Sequence, residues 1–254
     1  MIGLGALSAE AGDVRMEKPI REQVIEIVSS QKATVRKWMR APRVLVIHDR
    51  EPPRDFIEGM VARISGQAPN FPGIRSVEYL DLAEFQEPLP GRARFRVKRR
   101  DVDGRVLVDS GFVFDEGRVG LADIYVFLTD IPTGLFFGAL TQSGGPLHRR
   151  FAEGAPHSCY YNVSSLDDVL RYGMVFINSG WDRERVEACL FEEFMHTLGI
   201  LNDSEDSQVF TFNDRVVDPV DRSADFALLQ ALYTASIKPG DAPELVADAF
   251  QLSR

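Results

Sequence analysis

Glu192, Glu193 and His196 stand in a stretch, Arg183 to Asp206, that reads RERVEACLFEEFMHTLGILNDSED. Apolar residues at Val186, Leu190, Phe191, Phe194 and Leu198 recur three and four apart, the period of a core-facing helix, and Gly199 stands where a left-handed C-terminal cap is expected. On such a helix Glu192 and His196 project from one face, with Glu193 one step round. Two adjacent carboxylates and an imidazole, with Asp203 in the loop that follows, form a cluster able to give and take protons. The structural alternative makes the two glutamates surface or supporting carboxylates, lets His196 hydrogen-bond within a cleft, and has Asn202-Asp203 cap the loop. The acidic run Asp203 to Asp206 lacks the ligand spacing and turn glycine of an EF-hand and reads as a solvated loop. No GxSxG motif is present, which argues against a serine hydrolase of that kind.

The same residues resemble the HExxHxxGxxH (or D) motif of metzincin zinc peptidases, whose histidines bind zinc, whose Glu is the general base and whose Gly lets the chain turn sharply. On that pattern Glu192 takes the place of the first ligand, Glu193 the base, His196 the second ligand, Gly199 the turn and Asn202 the third ligand. Met174 to Trp181, MVFINSGW, resembles the strand and aromatic turn before the active-site helix, and Asp225 to Tyr233, DFALLQALY, resembles a C-terminal helix ending in Leu-Tyr. EE, then LG, then ND, with a Cys just upstream, is more closely similar to a bacterial family of domains of unknown function regarded as degenerate metzincin relatives. The likeness spans roughly residues 36 to 240.

This resemblance implies an α/β (α+β) fold, with a zincin-like mixed sheet, an active-site-type helix and a C-terminal helix. It also implies that zinc is the cofactor to consider. A zinc hydrolase needs three protein ligands, an open position for water and a base. Asn202 is a neutral, weak ligand, for which Asp203 or Asp206 is the substitute. His48, His148 and His157 complete the site by no recognisable spacing, and Val209 and Phe212 stand where a supporting Met would be expected. The two changed ligands and the missing Met direct the expectation to a non-proteolytic cleft, without a cofactor, that binds a peptide or an envelope protein. The alternatives are a zinc-dependent metallopeptidase, with Glu193 as base and Glu192, His196 and Asn202 or Asp203 as ligands, and an acid/base enzyme of another kind. Cys159 and Cys189, the only cysteines, read from the residues alone as either two buried thiols or a disulfide. The related family implies the bridge and a periplasmic or secreted location.

Several elements must position these residues. Pro19 to about Arg40 is helical in pattern, with Ser29-Ser30 as a break. Arg43 to His48, RVLVIH, is a β-branched strand, and Pro52-Pro53 opens a helix whose buried face is Phe56, Ile57, Met60, Val61 and Ile64. GRARFRVK alternates basic and apolar residues, with Arg92, Arg94, Arg96 and Lys98 on one side, and Asp103-Gly104 marks a hairpin into Arg105 to Phe114. That basic side is either an anion site or a solvated outer face that discourages edge-to-edge pairing. Ala122 to Leu128 is a further strand, followed by a Gly- and Pro-rich loop over Thr133 to Pro146. By resemblance, Cys159 to Val163 is an edge strand that pairs with a bound peptide, and Met174 to Asn178 is its neighbour.

The whole chain, of 254 residues, has an ordinary globular composition, 44% hydrophobic and 26% charged, enough for a sizeable core. Its net charge of -9 argues against nucleic acid or an anionic membrane surface as the main partner. No apolar run approaches the roughly 18 residues of a membrane span. Residues 1–16, with a short apolar stretch before Ala9-Glu10-Ala11 but no basic residues ahead of it, read as either a signal-peptide remnant or a disordered tail. Residues 17–40 then form an N-terminal helix and linker, and residues 41–254 a single domain.

Overall fold

A computed structural model describes residues 18–82, 94–102, 105–113, 122–129, 159–204, 207, 209–212 and 222–252, with the backbone alone for 94–113. The 1–16 stretch, the Asp103-Gly104 turn, the 133–146 loop, His148, His157 and Asp206 lie outside the described residues, as do the side chains of the basic strand.

Five strands form one mixed sheet: β1 (Arg43–His48), β2 (Ser76–Asp81), β5 (Ile124–Thr129), β6 (Tyr160–Leu166) and β7 (Val169–Asn178), in the order β2-β1-β5-β7-β6. All neighbours are parallel except β6, which ends the sheet antiparallel to β7. A separate antiparallel pair joins β3 (Arg94–Val102) to β4 (Arg105–Val113), with Val102 opposite Arg105. Among the described residues five helices accompany the sheet: α1 (Ile20–Val28), α2 (Arg54–Gln67), α3 (Arg183–Thr197), α4 (Ser223–Leu232) and α5 (Pro243–Leu252). The fold is therefore mixed α/β. None of its described helices is long and apolar enough to cross a membrane.

The central strands are buried on both faces, which explains why RVLVIH and IYVFLT are near-continuous apolar runs rather than alternating ones. Val44, Val46, Ile124, Val126, Val175 and Ile177 face the helices and share one core with α1 to α5. The opposite face carries Leu45, Ile47, Tyr125 and a ladder of rings in which Phe176 stacks on Phe127 at 4.8 Å and on Tyr160 at 4.6 Å. Between β6 and β7 the chain reverses through Asp167 and Asp168, both at positive φ (52° and 58°). Asp tolerates this region better than most side chains, and two such residues give a turn whose twist matches the strands.

The segment after α1 is part of the same core. Val35 and Trp38 are buried, and Lys37 forms a parallel bridge with Val169 where β7 runs on past the start of β5. The Lys37 amine lies among protein groups, donating to the Ile237 carbonyl at 2.8 Å. Burial lowers its pKa from 10.5 to about 8, with help from nearby Lys238 and against the pull of Asp241.

α3 packs across β7 and β6, and a disulfide between Cys159 and Cys189 ties its middle to the start of β6. Gly173 of β7 permits the close approach, because a Cβ there would meet Thr197 of α3 at 3.1 Å. The Cys159–Cys189 bridge closes a loop of sequence separation 30. Loop-closure entropy then assigns it about 3–4 kcal/mol. Replacing both cysteines with serine is expected to lower the unfolding free energy measured in urea by that amount, with reduced wild type behaving like the variant.

The lowered pKa of Lys37 gives a second expectation. Between pH 8 and 10.5 the unfolded chain holds the Lys37 proton and the folded chain releases it, so stability rises with pH across that window. Lys37→Met should lose this increment, read as the difference between wild-type and variant urea midpoints at pH 7.5 and 10.

Candidate functional site

The sequence builds α3 from its ends. Asp182 caps the start by accepting the Arg185 N–H at 2.9 Å, and Glu184 lies in the first turn where the helix dipole favours negative charge. Val186, Leu190, Phe191, Phe194 and Leu198 are buried, which turns Glu192, Glu193 and His196 toward β6 and the chain that follows the helix. Gly199 stops the helix at φ +107°, and a Cβ there would lie 2.3 Å from the Arg36 carbonyl oxygen. Only glycine fits both the angle and the contact.

An α-helix leaves its last carbonyls without partners, and here the final two, with those of the turn that follows, are served by side chains. The Trp38 indole donates to the Thr197 carbonyl at 2.8 Å, and the Tyr233 hydroxyl to the Leu198 carbonyl at 2.9 Å. His196 Nδ1 lies 2.5 Å from the Ile200 carbonyl, and the Tyr161 hydroxyl of β6 donates to Leu201. The N–H groups of Leu201 and Asn202 then bond to the Ile27 carbonyl at the end of α1.

Within this frame the expected site residues divide. Glu192, His196 and Asp203 come together, each offering one ligand atom, all within 4.8 Å of one another. His196 Nε2 is 3.0 Å from Asp203 Oδ1. Asn202 turns away: its amide donates to the carbonyls of Glu26 at 2.8 Å and Ser29 at 2.7 Å, joining the loop to α1. Glu193 is buried, and its charge acts on the Tyr161 hydroxyl. His48 ends β1 and is not among the cluster.

Both nitrogens of His196 face oxygen acceptors, a carbonyl on one side and a carboxylate on the other. Nδ1 therefore donates to the Ile200 carbonyl, and Nε2 meets the Asp203 carboxylate through one shared proton or through a cation in its place. The ring itself is enclosed, with Tyr161 stacked on it at 4.4 Å and Phe212 at 5.6 Å. Phe212, one of the two residues standing where a Met was expected, is thus a neighbour of the imidazole and fully buried. Tyr161 titrates well above the ordinary phenol range, first because it is buried and then because Glu193 and Asp203 lie near it. Its part in the site is not legible in the motif, since it arrives from a different strand with no fixed spacing to His196. Two carboxylates and an imidazole on a partly exposed opening suit a divalent cation of the zinc type, and the hydrogen bond from Nδ1 would aim Nε2 at it.

Residues 139–251 match a protein family described as Protein of unknown function (DUF2927). No curated protein and no solved structure matches.

The turn at Gly199 is expected to tolerate no side chain. Gly199→Ala should lower stability by at least about 2–3 kcal/mol through strain and contact with the Arg36 carbonyl. Asn202→Ala, which removes two hydrogen bonds at an exposed position, should cost about 1 kcal/mol. Urea unfolding of both variants tests the ranking, and a Gly199→Ala chain as stable as wild type would contradict it.

Proposed function

We propose that this chain is a metzincin-like protein of the periplasm or extracellular space, whose cleft between α3 and β6 binds an extended peptide or protein segment without cleaving it. The observation that carries this reading is the commitment of His196. Protein oxygens face both of its nitrogens, and aromatic rings pack around it. Asn202, at the third ligand position, is likewise occupied in holding α1. The residues at these two ligand positions therefore have structural work that explains their presence without chemistry.

The sheet supports the binding half of the proposal. Among the described residues β6 pairs on one side only, with β7, and an added strand would gain main-chain hydrogen bonds along the other. The disulfide from Cys159 to Cys189 fixes that edge to α3 and is compatible with an oxidising, extracytoplasmic compartment.

One observation favours a second reading, a zinc-dependent metallopeptidase: the approach of Glu192, His196 and Asp203 to within ligand reach of one another. Glu192 and Asp203 would each supply a carboxylate oxygen and His196 its Nε2, with the exposed side of Asp203 leaving room for water. Zinc held there would polarise a carbonyl and acidify that water. Glu193, next to Glu192, would take the proton.

Elemental analysis after dialysis against free zinc separates the readings, with His196→Ala as control. The binding reading expects no stoichiometric zinc, no cleavage of a peptide library, and slower amide exchange over Tyr160–Leu166 when a peptide selected from that library is added. Near one zinc per chain, lost in His196→Ala, together with cleavage lost in Glu193→Ala, would overturn it in favour of the peptidase. Exchange protection confined to other elements would remove β6 as the binding edge.

A further inference from the structure

A cavity of about 270 Å³ lies apart from the acidic face of α3, between residues 37–39 after α1, Asn70 and Pro72 after α2, and residues 233–238 between α4 and α5. Its charged lining is entirely basic. Lys37 is buried, and its Nζ bonds to the Ile237 carbonyl at 2.8 Å, reaches the Thr234 carbonyl at 3.5 Å and lies 5.1 Å from the Tyr233 ring centre. Lys238, exposed at the cavity, has its Nζ 2.9 Å from the Ala235 carbonyl. These partners are neutral carbonyls and a ring. The neighbouring carboxylate, Asp241, accepts instead from the Lys238 backbone N–H at 2.7 Å. Among the described residues neither lysine forms a salt bridge, and no acidic residue lines the cavity.

A buried ammonium with only carbonyls in contact and its nearest carboxylate turned elsewhere is an expensive arrangement in a folded protein, and a pair of lysines facing one space compounds it. An anion entering the cavity would relieve that cost. The remaining walls restrict which anion. Trp38, Met39, Pro72 and Ile237 offer apolar surface, and Asn70 at the edge adds one amide. A site of this make-up, mostly apolar with a few convergent polar groups, suits a small organic ligand rather than a bare ion.

We propose that this cavity binds a small aliphatic carboxylate, with its carboxylate held by Lys37 and Lys238 and its apolar body against Trp38, Met39, Pro72 and Ile237. The charge selects the head group and the walls select the tail. Inorganic phosphate lacks the tail, and a neutral amide lacks the charge.

Isothermal calorimetry of the full chain with hexanoate, hexanamide and inorganic phosphate tests this. Hexanoate is expected to bind saturably, and the other two at least about tenfold more weakly, the difference one charge-assisted hydrogen bond makes. Two variants at exposed positions guard against loss of folding. Lys238→Ala should weaken hexanoate about tenfold, and Ala235→Phe, which places a ring in the cavity, should abolish the signal while circular dichroism stays unchanged. Hexanamide binding as well as hexanoate would leave a merely apolar hollow. Phosphate binding as tightly would leave a simple anion site, and binding retained in Ala235→Phe would place the ligand elsewhere. Absence of saturable hexanoate binding would equally overturn the proposal.

Discussion

The carbonyl end of α3 is the constraint on which the rest of the structure depends. A helix that terminates inside a protein must find donors for its last carbonyls, because burying them unpaired costs more than any single packing contact returns. Here the Trp38 indole, from the segment after α1, and the Tyr233 hydroxyl, from the end of α4, serve the Thr197 and Leu198 carbonyls, and His196 and Tyr161 of the edge strand serve those of Ile200 and Leu201 just past the turn. Each fixes its own element by reaching that point. Gly199 makes the convergence possible, since the Arg36 carbonyl passes where a side chain would stand.

The acidic cluster is a by-product of this closure as much as a site in its own right. Once the chain turns at Gly199 and docks Leu201 and Asn202 on α1, Asp203 has little choice but to return beside His196. The same bonds that aim an imidazole at a carboxylate would hold a ligand set for a cation, and they would also hold a purely structural ion pair. The two uses differ in whether the Nε2 position carries a proton or a metal.

Much of this was legible in the sequence, for reasons that can be traced residue by residue. The period of Val186 to Leu198 and the glycine after it marked α3 and its stop, because burial and a left-handed cap leave strong local signatures. The β-branched runs marked β1 and β5, and the cysteine pair is bridged. β2 escaped notice: SVEYLD is an edge strand, only half buried, and carries no strong pattern. So did the β6–β7 turn, since Asp-Asp does the work more often given to Asn-Gly, and α5, which lies beyond the part that resembles metzincins. The choice between Asn202 and Asp203 was beyond local reading. It is decided by where α1, some 175 residues earlier, presents its last carbonyls. Lys37 escaped for the same reason, since its burial depends on the distant 234–238 loop.

That long reach between Asn202 and the end of α1 has a kinetic side. Glu26 and Asn202 are 176 residues apart, and Trp38 and Tyr233 are 195 apart, so the bonds that secure the first described helix and the segment after it reach across most of the chain. Closing loops of that size comes at an entropic cost before any contact repays it, which slows folding in proportion to the share of such contacts. α1 therefore lacks its main docking partners until α5 and the segment around residue 200 are in place. The chain must pass through a stage in which Val24, Ile27 and Val28 are exposed, and it is then, rather than in the finished fold, that a chaperone would find its apolar surface.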